Sequence, residues 1–174
     1  MKTIIVLLLT AFSISAEAKN TGVLIDAFWG LDASETTFGR MSYTDADPVY
    51  SLGLGVFRNI DTHNQVSLKG NVLDLILKDT SLFRMSVDYT HLVDMSTDVK
   101  WLLTVGLNVG YRTKLGNRLF FSGPIFKLGF SIGDDKVSMR PFVYTSFEIG
   151  EGNEQSRVAA FGAGAGLTVY LGVF

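Results

Sequence analysis

After residue 20 the chain alternates. Val23, Ile25, Ala27, Trp29 and Leu31 take every second position, as do Tyr50, Leu52, Leu54 and Val56, and Trp101, Leu103, Val105, Leu107, Val109 and Tyr111. A period of two marks a β-strand with one apolar face, and almost no 3.6-residue periodicity competes with it. The alternation predicts eight strands, at 22–31, 49–59, 66–77, 82–91, 99–112, 119–132, 137–149 and 157–173. Turn formers separate them, among them Asp45-Ala46-Asp47-Pro48, Asp61-Thr62-His63-Asn64, Gly116-Asn117 and Gly133-Asp134-Asp135. No linker or low-complexity tract interrupts the series, so one all-β domain of eight antiparallel up-and-down strands is expected.

Two objects share that pattern. A soluble barrel turns its apolar face inward, whereas a membrane barrel turns it to lipid and fills its interior with the polar face. The other parity of these strands is rich in Gly and Ser (Gly53, Gly55, Gly106, Gly110, Ser51, Ser86, Ser146), which suits the crowded inside of a narrow barrel. The outward aromatics also sort by height. With strand one running up from a periplasmic N-terminus, Trp29, Tyr50, Phe83, Tyr111, Phe120, Phe147 and Phe161 fall near the upper rim. Tyr89, Trp101 and Phe130 fall near the lower rim, with mostly Val, Leu and Ile between. Two aromatic girdles around an aliphatic band are an interfacial pattern, because amphipathic rings favour the headgroup level.

The sequence ends on "LTVYLGVF". That ending resembles the bacterial outer-membrane β-barrel class, whose final strand typically closes on Phe and is recognised by the barrel-assembly machinery. The resemblance implies an assembly signal at Phe174 with Tyr170 four residues before it, and an eight-stranded transmembrane barrel of the type of the OmpA transmembrane domain and OmpX-like proteins. Phe174 is out of phase with the apolar series Leu167, Val169, Leu171 and Val173, so either a distortion lies near Gly172 or the last residue turns inward.

Residues 1–18 read as a cleaved signal peptide: Lys2, an apolar run from Ile4 to Leu9 with Ala11 and Phe12, and the A-x-A site Ala16-Glu17-Ala18. The run is far shorter than the ~20 residues of a spanning helix. Residues 19–174 are then the barrel, exported yet without a cysteine, so closure of the sheet rather than disulfides must hold it. The formal net charge of −2 gives no basic excess for nucleic acid. Only 18% of residues are charged while 12% are aromatic, which fits a chain whose apolar surface meets lipid.

Inward parity collects Asp26, Lys69, Asp74, Arg84, Asp88, Lys127, Arg140 and Glu148. These charges are either the lining of a selective pore or a salt-bridge network plugging a barrel too narrow to conduct, and the eight-stranded width favours the plug. Strand three breaks step, since outward parity from Val66 through Gly70 would put Asp74 in lipid. A β-bulge at Gly70-Asn71 would return Asp74 to the inside near Arg84 and bring Lys69 near Asp88. The two histidines offer the only relay candidates, Asp61/His63 and His91/Asp94. Both lie toward the periplasmic end, away from the outer leaflet where lipid A-modifying acyltransferases and deacylases of this class work, and turn chemistry explains them. No cofactor or metal site is expected. The segment 32–48 reads as the longest extracellular connection and could recognise a partner. The expected role is structural or interactive, with lipid and lipopolysaccharide, the assembly machinery and a larger envelope complex as partners. A lipid A-modifying enzyme and a narrow channel are the alternatives.

Overall fold

The computed structural model describes residues 20–172 apart from 39, 77–81, 115, 116, 135 and 153–155. Residues 1–18, expected to be a signal segment, and Phe174 lie outside the described residues. Eight strands follow in order: β1 (Thr21–Phe38), β2 (Met41–Asn59), β3 (Asn64–Ile76), β4 (Leu82–Asp94), β5 (Val99–Lys114), β6 (Asn117–Gly133), β7 (Val137–Gly152) and β8 (Ser156–Gly172). Each is antiparallel to the next, and β8 pairs with β1 to close the ring. The ladder sets the width. From Ile25, successive partners are Leu54, Gly70, Met85, Val109, Ser122, Ile149 and Ala159, and the path returns to β1 at Glu35, ten residues above its start. Eight strands with that stagger tilt strongly and place the wall about 8 Å from the axis, so inward side chains meet in the middle.

Side chains obey the alternation. Ile25, Trp29, Leu54, Val87, Leu103, Val105, Leu128, Val143 and Phe161 stand on the outside, exposed, while Asp26, Ser51, Arg84, Asn108, Lys127, Ser146 and Glu148 are buried inside. The apolar face therefore points outward. At Gly106 the interior admits no side chain, since a Cβ there would collide with Asp88 Oδ1 and crowd Ile125. Gly133, at the β6–β7 connection, has φ of 119°, a left-handed conformation that a side chain would strain.

Two expectations need correction. The segment 32–48 is not a loop. β1 and β2 stay in register from Leu31↔Pro48 to Phe38↔Met41, and β8 follows β1 to Phe38↔Ser156. Apolar alternation stops near Leu31 because the strands leave the lipid zone there, but the backbone ladder carries on, with Ser34 and Thr36 still buried inside. The bulge, in turn, lies beyond Gly70-Asn71. Gly70 and Asn71 keep their partners Leu54 and Gly53, and the register slips at Val72, because Leu52 faces Leu73. The slip sets Asp74 opposite Ser51, whose side chain points inward. The Asp74 side chain, and with it the expected approach to Arg84, lies outside the described residues.

Candidate functional site

The inward face is organised in layers along the axis. Nearest the end that carries both described chain ends, Leu24, Phe57 and Tyr170 pack together, with the Phe57 and Tyr170 rings edge-on at 5.0 Å. Arg140 lies over the Tyr170 ring, 3.7 Å from its centroid, and donates to Gln65 Oε1 at 2.6 Å and Ser131 Oγ at 3.1 Å. Tyr170 thus faces the interior, on the parity opposite to the lipid-facing Leu167.

Above this layer four charges meet. Lys69 Nζ lies 3.1 Å from Asp26 Oδ2 and 2.7 Å from Asp88 Oδ2. Lys127 Nζ lies 2.9 Å from the same Asp88 oxygen, and the Thr168 hydroxyl donates to Asp26 Oδ1. Two cations and two carboxylates balance, and all four are buried. Buried charge persists only when it is paired, and each member of this quartet faces an opposite charge. Lys127 also faces the Phe142 ring at 4.9 Å.

A second ion pair lies higher. Arg84 Nη2 reaches Glu148 Oε1 at 2.9 Å, and Asn108 Nδ2 donates to the same oxygen at 3.2 Å. The guanidinium sits between Phe28 and Phe121, 5.9 and 5.7 Å from their centroids. Val49, Leu119, Phe121 and Val158 then close the far end with an apolar cluster. Of the eight sequence-derived interior charges, the structure joins Asp26, Lys69, Asp88 and Lys127 in one group and Arg84 with Glu148 in another. It leaves Arg140 apart, on neutral partners.

Sequence reasoning missed the apolar half of this interior. Phe28, Phe57, Ile125, Phe142 and Tyr144 share the inward parity with the charges, and Gln65, Asn108 and Thr168 each hydrogen-bond one of them. The signal was there, since Phe142 and Tyr144 fall in step between Arg140 and Ser146. Between the quartet and Arg84 the described residues line a gap of about 20 Å³, room for one water.

The ten aromatic positions, Trp29, Tyr50, Phe83, Tyr89, Trp101, Tyr111, Phe120, Phe130, Phe147 and Phe161, all lie on the outward parity. Ladder partners bring them into contact: Phe83 stacks with Tyr111 at 5.6 Å, Tyr111 meets Phe120 at 6.4 Å, and Trp101 meets Phe130 at 4.4 Å.

The histidines form no inward site. The pairing His91/Asp94 is not made. His63 Nε2 instead meets Asp94 Oδ2 at 3.0 Å while its Nδ1 faces Thr62 Oγ1 at 2.9 Å, and His91 Nδ1 meets Asn64 Oδ1 at 2.9 Å. Asp61 accepts from the backbone N–H of His63 and Asn64, both at 2.8 Å, and from the Asn64 side chain. These bonds, led by that of Asn64, hold the Asp61 carboxyl below the usual range. Asp134 is held low in the same way by the N–H groups of Val137 and Lys136. Such bonds support the turns above the ordinary carboxylate pKa and are lost as pH falls through the lowered value. Titration of the Asp61 and Asp134 carboxyl carbons by NMR should show both midpoints below that of a free aspartate. Midpoints at or above it would contradict the capped turns. No group of three or more metal-ligating side chains occurs among the described residues.

No protein-family model matches the chain, and no curated protein matches it by sequence. Among solved structures it is similar to the outer membrane protein OprG from Pseudomonas aeruginosa, at 12% identity over 88% of this chain and 97% of that one, with a TM-score of 0.56. Neisserial surface protein A aligns at 19% identity over 86% of this chain and 96% of that one, with a TM-score of 0.48. The N-terminal β-barrel domain of Pseudomonas aeruginosa OprF aligns at 13% identity over 88% and 98%, with a TM-score of 0.46. The likeness to OprG carries the fold: this is a small eight-stranded β-barrel of the outer-membrane type. That fold, with an apolar belt outside and buried charge inside, places the chain in a bacterial outer membrane.

Proposed function

We propose that the chain is a structural or interaction protein of a Gram-negative-type envelope, its interior sealed against ions, with residues 1–18 removed on export. The observation that supports this best is the interior itself. A charge quartet, an Arg84–Glu148 pair and an apolar cap succeed one another along the axis, with room for a single water between them. Opening a conducting path would require breaking buried ion pairs, each costly to separate. Function on this reading lies on the outside and at the rims. The outer belt engages lipid and lipopolysaccharide, and the hairpin of β1 and β2, raised above the belt on residues 32–48, offers a surface to a larger envelope complex. The terminal strand with Tyr170 and Phe174 serves the assembly machinery during insertion.

The lipid A-modifying alternative has little to support it, because His63 and His91 sit at the end opposite the raised hairpin and bond turn residues. Purified protein in a planar bilayer should give no resolved conductance steps across the voltage range a barrel tolerates. Steady ion-selective openings would overturn the sealed interior, and a changed lipid A mass in cells lacking the protein would revive the enzyme reading.

A further inference from the structure

Arg140 is the exception among the buried charges. The residue is only 6% exposed, and its guanidinium has no carboxylate partner among the described residues. Gln65 and Ser131 are neutral acceptors, and Tyr170 supplies a ring face and a phenol. A guanidinium offers five N–H donors, and Gln65, Ser131 and Tyr170 are the acceptors found for them among the described residues. Burying a cation on neutral partners alone is expensive, and a protein retains one where something else completes it.

The space beside it fits that role. Arg140 lines a cavity of about 420 Å³ that opens at the end carrying both described chain ends, together with Gln65, Ser131, Ser138, Thr21 and Lys100. The remaining titratable groups of this mouth are Asp61 and Asp134. Both carboxylates are turned onto backbone N–H groups of their own turns, which leaves Arg140 the deepest charge in the mouth. Phe57 and Tyr170 separate it from the quartet above.

We propose that this mouth is a binding site for a small oxyanion, a carboxylate or phosphate group held by the Arg140 fork with hydroxyl donors from Ser131 and Ser138. The ligand supplies the counter-charge that Arg140 does not find among the described residues. The site is separate from the outer belt and needs no passage through the barrel.

Isothermal titration of the full chain, folded in a non-ionic detergent, with inorganic phosphate and with acetate tests this. At least one of the two should bind saturably, one per barrel. Gln65→Glu provides the control that keeps the fold: the new carboxylate, in hydrogen-bond reach of Arg140, supplies an internal counter-ion. It should leave heat-modifiable migration intact and weaken anion binding about tenfold or more. Arg140→Gln should weaken it similarly. Failure of both anions to bind the unaltered chain at millimolar concentration would overturn the site, and so would unchanged binding in both variants.

Discussion

Val105→Arg is expected to destabilise the folded barrel by about 2–4 kcal/mol in lipid, while Val93→Arg should cost only about 0–1 kcal/mol. Both valines are exposed on the outer wall, at 46% and 49%, so for a soluble protein the two changes would be equally harmless. They differ in height. Val105 stands in the middle of β5, between the aromatic levels of Trp101 and Tyr111. Val93 pairs with Trp101 near the foot of β4. An arginine at mid-belt must drag its charge through hydrocarbon, whereas one at the foot reaches the headgroups at once. Urea titrations of refolding into short-chain lipid vesicles measure the difference. Equal, small effects would mean that the exposed apolar wall does not face lipid.

The second large effect lies inside. Asp88→Asn should cost about 3–5 kcal/mol, because it leaves two buried ammonium groups short of a carboxylate. One oxygen of Asp88 serves both Lys69 and Lys127, so the substitution unbalances the whole quartet rather than one pair. Asp94→Asn makes the same chemical change on a residue whose side chain is 57% exposed, bonded to His63 and Lys100. It should cost no more than about 1 kcal/mol. Parallel denaturation of the two variants in one detergent checks the contrast. An Asp88→Asn barrel as stable as the parent would mean that water or ions reach the quartet freely, against a sealed interior.

Much of this structure was legible in advance, and the reasons are particular. Strand number and facing were readable because lipid forces every second residue of a spanning strand to be apolar, as in Trp101 through Tyr111. Where lipid stops, that constraint stops too. The hairpin from Asp32 to Pro48 carries polar residues on both faces and so resembled a loop, yet β1 and β2 stay paired there up to Phe38↔Met41. The bulge was signalled by the misplaced parity of Asp74, but glycine attracted the assignment to Gly70, while the ladder slips at Val72. Pairing inside the barrel was the least accessible. Arg84 meets Glu148 from β4 to β7, and Arg140 meets Gln65 from β7 to β3. These contacts cross the lumen and depend on the ten-residue stagger, which no single strand encodes. Sorting the inward face as polar also hid Phe28, Phe142 and Tyr144, which separate the charges into layers.

The central claim is that the apolar wall faces lipid. The chain has two tryptophans, Trp29 and Trp101, and both stand on that wall, 61% and 40% exposed. Quenching of their fluorescence in vesicles, by brominated acyl chains and by aqueous iodide, tests it most directly. A lipid-facing wall requires strong quenching of both residues by the brominated lipid and little by iodide. Ready quenching by iodide with none from the brominated chains would contradict it.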